Sequence, residues 1–300
     1  MIFKAKIIAG FNFLVVSNLR TVLKDFCIGA YKKEVRSPWH CKKQEKEFCG
    51  SHSKYTGQTK KGQVKCLAVM EEKFYEGFSA EITEERLSVY RADGCNDETA
   101  LARYLYNIRL CKSLYTSLNM FEIAFRNSVD RALQDFTGTS DWFGKLRLAR
   151  ECTQKIDAAK EKIQKRKKPI SHDRIIAELT LGFWTSLFSK RYAQEKFQPY
   201  IIKQCFRNAS KAERAATSLW NNLEKIRLLR NRVFHYERLV HWRDLQARHE
   251  KLLAFTKLLA PKSYEILSRT DEFDAIHSVG ITPTKQLVKD NFNTNFCQIT

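Results

Sequence analysis

The chain has 300 residues, with 53 Lys+Arg against 33 Asp+Glu and a formal net charge of +20. With 43% hydrophobic and 29% charged residues it reads as a folded globular protein, not a disordered one. Gly (11) and Pro (5) are scarce, which excludes collagen-like and many-turned β architectures and favours helix.

The positive balance favours a polyanionic partner, nucleic acid first and anionic membrane second, with general solubility as the plain alternative. Residues 1–69 carry 14 Lys+Arg against 4 Asp+Glu, so less than a quarter of the chain holds half of the excess charge. The longest apolar stretch, Ile7 to Val16, contains Asn12 and falls well short of the ~20 residues a spanning helix needs. No convincing small-residue cleavage site follows it, so no secretion signal is read. Nine scattered Cys residues, an odd number, suit reduced thiols in the cytoplasm.

In chain order, residues 1–69 form an irregular basic extension without a sustained period. They include Lys42, Lys43 and Lys46 and a Gly/Ser/Thr/Lys segment from Gly50 to Lys65. Met70 then opens helix-like sequence. Either translation starts at Met70, or the upstream residues are a basic arm that contacts nucleic acid. His40, Cys41, Cys49 and His52 are zinc-ligand types, but the adjacency of His40 and Cys41 makes joint ligation awkward. No metal and no cofactor are expected.

Thr99 to Phe136 is the longest predicted helix. Leu101, Leu105, Ile108, Tyr115, Leu118, Phe121, Phe125 and Val129 recur every three or four residues, and Gly138 fits its end. A second helix, 150–168, ends in Lys165-Arg166-Lys167-Lys168 before Pro169, either a solvated helix end or an RNA-backbone contact. Ser171 can cap a third helix running to about Lys190. A fourth spans 210–238, a fifth His241 to Leu259, and a short one follows to about Ile276. Residues 279–300 read as a loose tail after a helical domain over 70–278. No internal repeat and no strand alternation appear.

The fourth helix separates into two sides at about 100° per residue. Ile226, Leu229, Val233, Tyr236 and Val240 make a core stripe. Glu224, Arg227, Asn231, His235 and Arg238 lie opposite. An exposed helix face would also be polar, but Trp220 and Phe234 border this stripe and suggest that something covers it.

At Arg230-Asn231-x-x-x-His235 the sequence resembles the HEPN superfamily, whose signature is Arg and His separated by four to six residues. The wider match resembles the Abi-like, or abortive-infection, proteins within it. Phe121-Glu122-Ile123-Ala124-Phe125-Arg126-Asn127 looks like their E-x-x-x-R-N helix. Asp141-Trp142-Phe143 is similar to the aromatic segment after it, and Arg174 to Trp184 to an R-x-x-A-E-L-x-x-G-F-W stretch. His249 and Pro261 also fall where similar sequences carry such residues. The likeness runs from about Glu71 to Ile276 and leaves out residues 1–69.

The resemblance implies an all-α, HEPN-like helical bundle with additional helices, which dimerises and brings two R-x4-H motifs together. It implies a metal-independent endoribonuclease acting in phage defence or growth arrest, with an antitoxin or other regulatory partner as a further expectation. The chemistry is attack by the ribose 2′-OH, which DNA lacks. His235 is then the acid/base, since imidazole titrates near neutrality. Arg230 is the phosphate clamp, and Asn231 orients the imidazole or bonds the substrate. Glu122, Arg126, Asn127, Arg227 and Glu178 are expected to contact RNA or support those that do. For Glu122 and Arg126 an ordinary ion pair one helical turn apart is the competing account. Gly182-Phe183-Trp184 is read as packing, with Gly182 allowing close helix approach. The rival function is a non-catalytic RNA- or protein-binding module. A DNA-binding regulator is weaker, since no recognition-helix signature stands out.

Overall fold

The computed structural model describes residues 75–292, all of them in the unit Gln58–Thr300. The expectations for the basic extension, its start at Met70 and the His40/Cys41/Cys49/His52 group lie outside the described residues. Among the described residues the fold is all helical, with no strand.

After helical residues 75–82 and the short α1 (Glu84–Ser88), the chain enters α2 (Asp97–Thr137), a 41-residue shaft. At 1.5 Å per residue it is about 60 Å long. Its start is set by Asn96, whose side chain accepts a hydrogen bond from the Thr99 N–H at 3.1 Å. Its end is set by Gly138, at φ 68°, whose N–H returns to the Gln134 carbonyl. Along its buried side run Leu110, Leu114, Leu118, Phe121, Phe125, Val129 and Leu133.

Seven further helices pack on this shaft, α5 (Leu181–Ser186), α6 (Phe197–Cys205), α7 (Ala216–Phe234), α8 (Leu245–Leu259), α9 (Pro261–Thr270), α10 (Phe273–Val279) and α11 (Thr282–Phe292), while α3 (Arg150–Lys165) packs on α4 (His172–Glu178). Phe121 and Phe125 stack at 5.5 Å, and Phe125 in turn meets Phe188 at 5.4 Å. Trp142, Phe183 and Trp184 are fully buried in the same core. Their packing role is therefore observed. The Trp142 indole also donates to buried Asp130 at 2.9 Å, and Asp130 takes a second contact from His172 Nε2 at 2.8 Å. This polar knot ties α2 to the loop after it and to α4.

Five expectations about the helices are corrected. The third helix is broken: Leu179 and Thr180 are extended (ψ 130° and 162°), so α4 stops and α5 begins anew. A β-carbon on Gly182 would meet Arg227 Cδ at 3.5 Å, an ordinary contact, so close approach does not require glycine there. The fourth helix is shorter than 210–238. It ends at Phe234, and Tyr236, expected in the core, is 73% exposed. The fifth begins at Leu245, not His241.

The expected tail over 279–300 contains α11, which packs on α2. Val288 and Thr284 are buried, and Arg109 of α2 donates to the Thr284 hydroxyl at 3.2 Å. So short a segment, with Leu287 and Val288 adjacent among polar residues, gives little periodic signal, and α2 supplies the surface that orders it.

Candidate functional site

The R-x4-H segment lies at the C-terminal end of α7. Ile226, Leu229 and Val233 face the core as expected. Arg230 sits between elements: its Nε donates to Glu122 Oε2 on α2 at 2.9 Å, and its guanidinium carbon lies 4.2 Å from the centre of the Phe234 ring. Phe234 stacks in turn on Tyr115 of α2 at 5.4 Å. Residues advance along α2 as they recede along α7, so the two helices run antiparallel through this contact. Glu122 thus pairs across the helix interface and not with Arg126 one turn on. Arg126 instead donates to its neighbour Asn127 at 3.0 Å.

His235 is the first residue past the helix and is exposed to solvent. Its N–H bonds the Asn231 carbonyl at 2.8 Å, the closing i→i−4 bond of the helix, made by the backbone of Asn231 and not by its side chain. Tyr236 follows at φ 58°, and the Glu237 N–H reaches back to the Arg232 carbonyl at 2.9 Å. That is the 6→1 closure of a Schellman motif, made here with tyrosine where glycine is the default.

The turn is fastened from three sides. Buried Asn107 of α2 accepts from the Leu239 N–H at 2.6 Å and donates to the Glu237 carbonyl at 3.2 Å. Arg86 donates to the Tyr236 carbonyl at 2.7 Å, and Arg238 donates to the Val89 carbonyl. Arg232 and Arg248 both lie over the Trp242 ring, at 4.9 and 4.1 Å. None of Asn107, Arg86 or Trp242 was legible as a site residue, because each reaches the turn across a tertiary contact.

The surface here is electropositive. Partial burial and then the charges of Arg238 and Arg232 push the His241 imidazole below its ordinary pKa. Burial raises the nearby Cys111 thiol to about 11, which makes it no nucleophile at neutral pH.

Two expected residues sit apart from this arrangement. Arg227 forms a bidentate pair with Glu224, with Nε at 2.9 Å and Nη2 at 2.7 Å from Oε2 and Oε1 shared with Nε. Glu224 Oε1 also accepts from Thr185 of α5 at 3.1 Å. Glu178 faces α3, paired with Lys162 at 2.6 Å and with Arg166. The Lys162 bond leads the influences holding its carboxyl below the usual range. It fastens α4 to α3 and does not approach the α7 turn's partners.

Among the described residues, no group of three or more His, Cys, Asp or Glu side chains is arranged to hold a metal ion. No helix among them is long and apolar enough to cross a membrane. No protein-family model matches the chain, and neither a curated protein nor a solved structure matches it.

Proposed function

We propose that this chain is an Abi-like, HEPN-type endoribonuclease that cuts RNA by 2′-OH transesterification without a metal, in phage defence or growth arrest. The observation that carries the reading is the Arg230–Glu122 pair at 2.9 Å, which joins the R-x4-H helix to the E-x-x-x-R-N helix. These two segments of the resemblance are 108 residues apart in sequence and meet at one charged contact.

In this reaction the ribose 2′-oxygen attacks the adjacent phosphorus. His235, exposed and anchored through Asn231, takes the 2′-OH proton. The P–O5′ bond breaks, and the leaving 5′-oxygen receives a proton from a second imidazole, giving a 2′,3′-cyclic phosphate and a 5′-hydroxyl. A dimer would supply that imidazole from the partner copy. Ile108, Tyr115 and Leu228, near half exposed at 47, 49 and 48%, offer apolar surface for such an interface. An arginine fork at phosphate would stabilise the charge growing on its oxygens.

One observation favours the alternative, a non-catalytic RNA- or protein-binding module. Arg230 and Arg227 are both already paired with carboxylates, so neither clamp is free as it stands. The deciding experiment incubates the full chain and its His235→Ala variant with RNA in EDTA. Cleavage leaving cyclic phosphate ends, lost in the variant, is the expected result. RNA binding without cleavage by either protein would assign the binding module.

A further inference from the structure

We propose that the turn after α3, carrying Lys165, Lys167 and Lys168, is a docking site for the phosphate backbone of RNA. The choice of RNA among polyanions rests on the function proposed above; the geometry of the turn does not.

The turn is rigid. The Lys168 N–H closes on the Ile163 carbonyl at 3.2 Å, and the Lys167 N–H on the Gln164 carbonyl at 2.7 Å. Pro169 follows, and the Arg174 guanidinium donates to its carbonyl at 2.7 Å. Lys162 and Arg166 are spent on Glu178, which bolts the turn to α4. Lys165, Lys167 and Lys168 are exposed, and no ion pair among the described residues engages them. The cations that neutralise a carboxylate and the cations that project outward are therefore separate sets on one turn.

Two features set this turn apart from a solvated helix end. The helix dipole favours cations in the last turn but fades beyond it, and Lys167 and Lys168 lie past the end of α3. Lys167 also occupies φ 54°, the left-handed position where glycine is strongly preferred and a β-carbon is strained.

A membrane surface is the poorer partner. Interfacial helices bind by an exposed apolar face beside their cations. The apolar residues of α3, Cys152, Ile156, Ala159 and Ile163, are buried in the core, leaving Ile170 as the exposed apolar neighbour of the lysines. Phosphodiester contact needs charge without a wedge.

The test measures binding of the full chain to a fluorescent single-stranded 2′-O-methyl RNA, which cannot undergo 2′-OH attack, across a salt series. The Lys165→Gln/Lys167→Gln/Lys168→Gln variant should bind at least tenfold more weakly. The slope of log affinity against log salt should fall by about 2, since single strands release ~0.7 counterions per contact. Lys167→Gly alone, which relieves the backbone, should be at least as stable and still weaken binding severalfold. Unchanged affinity and slope in both variants, with the parent chain binding RNA, would overturn the docking site and leave the RNase reading standing. No RNA binding by the parent chain would overturn both. Loss of binding to phosphatidylserine vesicles with RNA binding intact would reassign the turn to membranes.

Discussion

Arg230 of α7 donates to Glu122 of α2 at 2.9 Å while its guanidinium lies 4.2 Å from the Phe234 ring. A carboxylate thus occupies the fork that phosphate would take. Replacing Glu122 by Gln keeps the shape and removes the competing charge. RNA affinity should rise severalfold, at a stability cost of about 1 kcal/mol for a half-buried pair. Anisotropy and thermal melting read the two effects. An affinity no higher than the parent's would show that Arg230 is not the phosphate clamp.

Asn107 holds the turn after His235 through two hydrogen bonds, to the Leu239 N–H and the Glu237 carbonyl. Asn107→Leu would leave both backbone groups without that partner. The Leu239 N–H is buried and costs about 1–3 kcal/mol unsatisfied, whereas Glu237 is exposed, so urea denaturation should show a loss of about 1–3 kcal/mol. Cleavage should fall with it, because the turn positions His235. A stability change within 0.5 kcal/mol would mean that water replaces the amide.

Tyr236 stands at φ 58° with its side chain 73% exposed. Tyr236→Gly relieves the left-handed strain and gives up little burial. A gain of up to about 1 kcal/mol is expected, or about 2–4 °C in Tm. A fall in Tm on calorimetry would show that the phenol is packed in solution.

His249 is fully buried in α8, with Nε2 3.0 Å from Asp271 Oδ1 and its ring 4.3 Å from Phe273. Burial pushes the Asp271 carboxyl up, but the bond to His249, its charge, the Phe273 N–H and Ser117 outweigh it, so the net shift is downward. A folded-state pKa below the unfolded value adds stability above the ordinary aspartate range. That stability is lost as pH falls through the lowered value. Denaturation between pH 6 and 2 should show this acid loss, and Asp271→Asn should flatten it. The same variant should cost about 2–3 kcal/mol at pH 7, because it weakens the partner of a buried imidazole. An unaltered acid limb would assign the titration to other carboxylates.

The helices with a long apolar period were readable in advance. Residues Leu118, Phe121, Phe125 and Val129 alone place one side of α2 in the core, and Gly138 marks its end, because caps and periodicity are local properties; its start at Asp97, capped by Asn96, lies two residues before the expected Thr99. The polar stripe of α7 was equally readable, up to its last turn. Where that helix stops was not. His235 to Val240 continue the helical pattern, yet Asn107 and Arg86 engage the backbone of residues 236–239 from other elements, the Val89 carbonyl accepts from the Arg238 side chain, and the chain turns away. The break at Leu179–Thr180 carries no local signal either, since neither position is a glycine or proline.

By itself the sequence determined that the fold is helical, which stripe of each long helix is apolar, and where basic residues concentrate. Those properties depend on side-chain type and on a spacing of a few residues. Tertiary structure decided who partners whom. Glu122 could have paired with Arg126 on its own helix, and Glu178 could have faced the α7 site. The first instead meets Arg230 across an antiparallel contact, and the second locks α3 to α4 through Lys162 and Arg166. A charged side chain has several partners within reach of its sequence neighbours, and the choice among them follows from which helices the core brings side by side.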